Sequence, residues 1–318
     1  MNLSLAILVF AGATTATALL GLISKWIDRK VTARIQWRKG PPWYQPLADI
    51  IKLLGKETIV PHAAGGTGFL LLPLVGFAAV SVAATILWWI NFNPESGFIG
   101  DVIVVLYLLT IPAITIILGG SASGNPLAAI GAAREMKLLL AYELPMLLVI
   151  LAAIVGSTIA DSTTGLAAGF QLGTIKTAQT VGFPASLGCV IGFIISLMCI
   201  QAKLGLVPFD MAEAECEIAT GPFIEYSGAP LAIIHLTRVM LLAVMPLFII
   251  TIFWGGFSFN SAWVILASLG KYVLVLVVLI LVRNTNPRVR IDHALRFFWY
   301  IMTPLAIVAL TLSMAKGI

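Results

Sequence analysis

Five of the fourteen Asp and Glu residues of this 318-residue chain fall in one short stretch: Asp210, Glu213, Glu215, Glu217 and Glu225. It reads Pro208-Phe209-Asp210-Met211-Ala212-Glu213-Ala214-Glu215-Cys216-Glu217 and runs on to Glu225-Tyr226-Ser227-Gly228. Carboxylates this close together beside a membrane raise one another's pKa, so some can hold a proton near neutral pH. The chemistry open to them is a proton relay or a vestibule that gathers cations; the alternative is a solvated helix surface. Asp210 followed at three residues by Glu213 also fits a capping box after Pro208, on a short helix stopped by Thr220-Gly221-Pro222. Helical spacing puts Asp210, Glu213 and Glu217 on one face and Glu215 elsewhere. Capping accounts for Asp210 and Glu213 but leaves Glu215, Glu217 and Glu225 unexplained.

Glu143 stands alone in an apolar run, within Ala141-Tyr142-Glu143-Leu144-Pro145. An unpaired acid at the centre of a span costs roughly 2.5–3.5 kcal/mol on insertion scales, so such residues face a bundle interior and mark ion or proton paths. A glutamate at headgroup level is the plainer alternative. Glu135, flanked by Arg134 and Lys137, reads as an interface ion pair at the start of the same helix. His235 and Arg238 are three apart on a later span and share a face. Lys271 lies midway along the next span. Glu, His and Lys together are the parts of a half-channel, although a lysine near a span end can also snorkel to the interface. No glycine pattern marks a nucleotide site, and the histidines lack metal-ligand spacing. Gly119-Gly120-Ser121-Ala122-Ser123-Gly124-Asn125 reads as a flexible loop. Cys189, Cys199 and Cys216 show no paired spacing and read as small apolar fillers, so any redox centre belongs on a partner.

The elements that must position these residues are membrane helices. The chain is 60% hydrophobic and 10% charged, with strongly positive mean hydropathy; a soluble chain carries roughly a quarter charged residues. Apolar runs of spanning length predict an all-α integral membrane protein of about eight transmembrane helices, a single polytopic domain over 1–318. The spans lie near Leu3–Ser24, Gly68–Ile90, Asp101–Gly119, Lys137–Gly156, Ala185–Ala202, Ala229–Ile252, Ala262–Val282 and Leu295–Met314. The first is too long for a cleavable signal and has no basic flank before it. Basic residues gather in the loops after spans one, three, five and seven, with Lys176 and Lys316 as exceptions. By the positive-inside rule those loops are cytoplasmic and both termini lie outside the cell membrane. The net charge of +5 thus sits beside lipid and is no sign of nucleic acid. Two cytoplasmic loops stand out: the acidic one, 203–228, and the first, 25–67. In the latter, Leu47, Ile50, Ile51 and Leu54 repeat at helical spacing opposite Asp49 and Lys52, which predicts an amphipathic interfacial helix anchored by Trp37, Trp43 and Tyr44.

Three blocks carry a resemblance: Ala33-Arg34-Ile35-Gln36-Trp37-Arg38-Lys39-Gly40-Pro41 continuing through Gln45-Pro46-Leu47-Ala48-Asp49 to Gly55-Lys56-Glu57; Arg134-Glu135 through Tyr142-Glu143-Leu144-Pro145; and the acidic stretch itself. With the eight-span layout, nearly the whole chain resembles the NADH-dehydrogenase subunit 1 family, which includes the membrane anchors of energy-converting [NiFe] hydrogenases. Quinone-reducing members carry a longer insertion, of the form Arg-Val-Gly-Pro-x-Gly, before the Gln-Pro. Here Gly40-Pro41-Pro42-Trp43-Tyr44 runs straight into Gln45, and span six has His235-Leu236-Thr237-Arg238 where quinone-type members show Glu-Tyr. The shortened loop resembles the hydrogenase branch, and both departures speak against a quinone chamber. The resemblance implies a non-catalytic anchor with no cofactor of its own. Its expected partners are lipid, peripheral hydrogenase-like large and small subunits bearing [NiFe] and iron–sulfur clusters, an iron–sulfur subunit, and antiporter-like membrane subunits that move protons or sodium. It also implies an acidic path through Glu143, Asp210, Glu213, Glu215, Glu217 and Glu225, and arm contacts at Arg34, Arg38, Gln45 and Asp49. A sulfur-reducing relative, a quinone-binding subunit of complex I and a stand-alone ion transporter are the alternatives.

Overall fold

The computed structural model describes residues 3–62, 64, 66–160, 168–179, 187–259 and 261–315. Lys316 lies outside the described residues, as do the first two positions of the span placed at Ala185–Ala202; of the Cys216 side chain nothing is described. In chain order the helices are α1 (Leu3–Ile35), α2 (Gln45–Leu54), α3 (Thr67–Phe92), α4 (Asp101–Leu108), α5 (Ile111–Ala122), α6 (Pro126–Ala160), α7 (Leu172–Gln179), α8 (Leu187–Lys203), α9 (Glu215–Ile218), α10 (Gly228–Phe253), α11 (Ala262–Thr285), α12 (Ile291–Arg296) and α13 (Thr303–Ala315). Seven helical stretches are long and apolar enough to cross a membrane, and α8 is a shorter eighth. The protein is an all-helical integral membrane protein, and the expected layout of about eight helices is met.

The order of packing follows from how polarity is spread along each helix. From Val239 to Phe253, α10 is apolar or small all round, and these residues are buried without interruption; a helix of that kind belongs inside. It contacts α1, α3 and α11, while α6 packs against α8 and α13. The outer helices turn large apolar side chains outward, among them Leu5, Ile7 and Leu8 of α1, Leu266 and Leu274 of α11, and Ile307 of α13. Lipid is the solvent such a surface fits.

Three departures from straight helix bear on the site. The third span is two helices, because Pro112 at the start of α5 has no amide to offer the carbonyl of Leu108. Within α6, Pro145 lies two residues beyond Glu143. Between α12 and α13, Phe297–Met302 widens into a π-helix, an irregularity frequent at functional sites. The stretch 119–125 is a correction: Gly119 to Ala122 are the last turn of α5, not a loop. The glycines are there for close approach. A side chain at Gly119 would collide with the Tyr226 hydroxyl, and one at Gly120 would press tightly on Pro222 and the Ala128 carbonyl.

Candidate functional site: a charged cleft leading to Glu143

The acidic stretch is not one helix, so its carboxylates do not share a face. Met211–Glu213 is a 3-10 turn, α9 is one short turn, and Gly221–Phe223 is a second 3-10 turn. Ala219, Thr220 and Gly221 stand in succession at positive φ, a costly conformation for the first two. At Gly221 a Cβ would also strike the Ala212 carbonyl, so glycine is required there. The capping box does not form: Asp210 makes no side-chain cap, and Glu213 donates its amide to the Asp210 carbonyl. The physical reason is competition. Guanidinium groups arriving from other elements make stronger, charge-assisted bonds than a backbone amide can.

Four of the five carboxylates find partners from other elements. Asp210 pairs with Nε of Arg288 at 2.8 Å, and Glu217 with Arg134 at 2.6 Å. Glu213 accepts from two nitrogens of Arg238, and Glu225 accepts from the Asn125 amide at 2.7 Å. Glu215 is exposed. Burial pushes the Asp210 carboxyl above its usual range against the pull of Arg288. The loop before it is fixed by Gln201, which donates to the Val207 carbonyl at 2.7 Å, and by Phe209, whose ring packs on Phe297 and Phe298 of the π-helix.

These residues border two cavities. The outer cleft, about 330 Å³, is lined by Asp210, Glu213, Glu215, His235, Arg238 and Arg288, with Lys25, Arg29 and Arg283 across from them. The inner cavity, about 30 Å³, is lined by Glu135, Lys203, Glu213 and Arg238, enough for roughly a water or two. Leu204, Gly205, Glu213 and Arg238 line both, so the Glu213–Arg238 pair forms the shared wall. Beyond the inner cavity, the Lys203 ammonium stands 3.6 Å from Glu143 and 5.9 Å from the centre of the Tyr142 ring. Both Glu143 oxygens are buried, with no hydrogen-bond donor within bonding distance among the described residues. The series from outside to inside is thus Asp210, Glu213, Glu135, Lys203 and Glu143: acids and bases along two adjoining cavities, of a chemistry able to pass a proton or guide a cation.

The structure brings Glu143, Asp210, Glu213, Glu215, His235 and Arg238 towards this axis. Glu217 and Glu225 pair off to its side. Lys271 does not join: its ammonium donates to the Trp254 carbonyl at 2.9 Å, and Trp254 follows α10, about 24 Å along that helix from Arg238. Glu135 corrects another expectation. It is not an interface ion pair, because Arg134 turns to Glu217 while Glu135 is buried in the inner cavity. Sequence reasoning did not single out Lys203 and Arg288, which counted only among the basic residues of the loops after spans five and seven. It also missed Asp28, which is buried and held by Lys25 and Arg283. The available signal for Glu135 was its position two helical turns before Glu143 on α6.

In the first loop, Gln45 and Asp49 are engaged inside the chain. Asp49 accepts from Arg29 at 2.7 Å and from Gln45 at 3.1 Å, which holds α2 against α1. Arg34 and Arg38 remain exposed beside Trp37, which is 98% exposed. Burial works to raise the Asp49 carboxyl, but the bonds from Arg29 and Gln45 outweigh it and hold the group below its ordinary value of 3.8. A depressed acid lends stability above its unfolded pKa and loses it as pH falls through the folded one. Docking of α2 should therefore weaken only as the medium is acidified below about pH 4. Hydrogen exchange of the α2 amides against pH checks this; Asp49→Asn should give fast exchange at every pH, and protection unchanged in that variant rejects the clamp.

Among the described residues, no group of three or more His, Cys, Asp or Glu could hold a metal ion. The family model described as NADH dehydrogenase matches residues 6–314. The chain is 32% identical to an NADH-quinone oxidoreductase subunit of Dehalococcoides mccartyi strain CBDB1, over 92% of this chain and 81% of that protein. It is also 32% identical to the corresponding subunit of Thermomicrobium roseum, over 95% and 93% respectively. Among solved structures, a chain of the membrane-bound sulfane sulfur reductase, an archaeal respiratory membrane complex, matches with a TM-score of 0.82 and 30% identity. That match covers 96% of this chain and 99% of the other. With its helical layout, its acidic loop and these matches along nearly its whole length, this chain belongs to the NADH dehydrogenase subunit 1 family, the membrane subunits of respiratory complexes.

Proposed function

We propose that this chain anchors and couples the peripheral arm of a ferredoxin-dependent, membrane-bound hydrogenase-type complex. In this reading the arm docks on the side bearing the basic loops and carries the [NiFe] and iron–sulfur centres. Antiporter-like subunits beside this chain move protons or sodium. The observation that carries the coupling role is the acid–base series from the outer cleft to Glu143, with Glu213 and Arg238 as the wall common to both cavities. A path of charged groups is of use only if charge moves or is sensed along it, and a plain anchor would not bear its desolvation cost. The charged lining of the outer cleft suits ions better than it suits the largely apolar surface of a quinone. The shortened segment after Gly40 supports the same branch. A sulfur-reducing complex is the second reading, favoured by the full-length likeness to the sulfane sulfur reductase chain.

Ion pumping in inverted vesicles after Glu143→Gln tests the coupling role; loss of pumping with redox turnover retained is expected. The docking role has a separate test. Changing Arg34 and Arg38 together to Glu should detach the arm, because both are exposed and neither has an ion-pair partner among the described residues. Purification through a tag on this chain should then lose the Cys-rich nickel-site subunit, which the unaltered complex retains. An arm that stays bound after the double change removes the docking role, and an unaltered complex without a nickel-site subunit favours the sulfur-reducing reading.

A further inference from the structure

Two lysines lie at the end of the molecule opposite the charged cleft, and the coupling path uses neither. Lys176 on α7 is 3% exposed. Its ammonium donates to the carbonyls of Asn91 at 2.6 Å and Phe257 at 2.7 Å. Lys271 on α11 donates to the carbonyl of Trp254, and its ammonium lies 5.7 Å from the centre of that indole ring. Both line one cavity of about 780 Å³, whose other walls include Phe92, Phe259, Trp263 and Val264; among the described residues, no Asp or Glu lines it.

The charge in this cavity does not balance. Asn91 is in the last turn of α3, and Trp254 directly follows α10. A helix C-terminus is worth about half a negative charge. Lys176 also stands in the last turn of its own helix, α7, so three termini against two ammonium groups leave about half a positive charge uncompensated at the edge of a membrane-embedded bundle. Burial pushes Lys176 down to about 8, which leaves it mostly charged at neutral pH. An ammonium has three donors; Lys271 gives one to Trp254, and the others are free to meet an acceptor in the cavity. The walls differ in kind: cations at the base, and exposed Trp263 and Phe259 at the rim. A cationic base beneath an aromatic and aliphatic rim complements an amphiphile with one negative charge.

We propose that this cavity binds an anionic phospholipid, with the phosphodiester on Lys271 and Lys176 and an acyl or isoprenoid chain over Phe92, Phe259 and Trp263. The lipid supplies the missing counter-charge and seals the junction of α3, α7, α10 and α11. Lys176, one of the exceptions to the charge asymmetry of the loops, is accounted for as part of a headgroup site.

The test uses the whole purified complex, delipidated in detergent and then offered phosphatidylglycerol, phosphatidylcholine or inorganic phosphate. Native mass spectrometry reads the lipid retained. The unaltered complex should keep one phosphatidylglycerol, prefer it over phosphatidylcholine, and not release it to inorganic phosphate. Lys271→Gln should weaken retention by about tenfold. Lys176 ties the end of α3 to the chain at Phe257, so its replacement can fail for reasons of folding alone; Ala267→Asp serves instead. Ala267 lines the same cavity one turn before Lys271, and a carboxylate there provides an internal partner at i,i+4. It should displace the lipid while leaving the complex assembled. Equal retention in all three proteins, no preference for the anionic headgroup, or displacement by phosphate alone each overturns the proposal.

Discussion

Glu143→Gln is expected to lower ion pumping in inverted membrane vesicles by at least about tenfold, with electron transfer to a soluble dye nearly unchanged. The amide keeps the shape of the side chain and removes its ability to take or give up a proton. Electron transfer runs in partner subunits, so the redox assay reports assembly and the vesicle assay reports coupling. One complication is Lys203, 3% exposed and 3.6 Å from Glu143. Stranding a buried charge costs about 3–5 kcal/mol when no other partner is near. Here Lys203 also lines the inner cavity with Glu135 and Glu213, so much of that cost is offset. The double variant Glu143→Gln with Lys203→Met separates the effects: it should melt closer to the unaltered complex than Lys203→Met alone, and still not pump. Pumping that survives in both Glu143→Gln proteins takes Glu143 off the path.

Arg238→Met should have the largest structural effect. Arg238 makes a two-nitrogen pair with Glu213 and its guanidinium lies 4.2 Å from the centre of the Phe223 ring, so it ties the acidic loop to α10 at both ends. Without it, Glu213 and Glu135 border the same small cavity with one cation fewer between them. The side chains of Arg238 and Glu213 keep 29% and 30% exposure, which places the loss at about 1–3 kcal/mol, below the range for fully buried pairs. A fall of several degrees in the melting temperature of the purified complex is the readout. Arg238→Lys should recover little, because a point ammonium cannot reproduce the planar fork or the stacking. A double-mutant cycle with Glu213→Gln gives the coupling energy directly; a value near zero means the pair does not tie the loop to α10.

The sequence alone determined the class and the layout. Runs of apolar residues have no stable place except in lipid or a core, so the membrane helices and α2 were legible from spacing. Glu143 was legible because an acid amid apolar residues is costly enough to need a reason. Local pattern failed where longer-range charge took over. Asp210-x-x-Glu213 has the form of a capping box, yet Arg288 and Arg238, remote in sequence, claim both carboxylates. Glu135 and Arg134 look like a surface pair, yet the fold turns one into a cavity and the other to Glu217. Lys203, the last residue of α8, becomes the partner of Glu143 only when α6 and α8 pack. Which cation meets which carboxylate is a property of three-dimensional neighbours, and opposite charges offset the cost of burial by finding one another across elements. The carboxylates were therefore visible in the chain, but their order from cleft to membrane was decided by the tertiary structure.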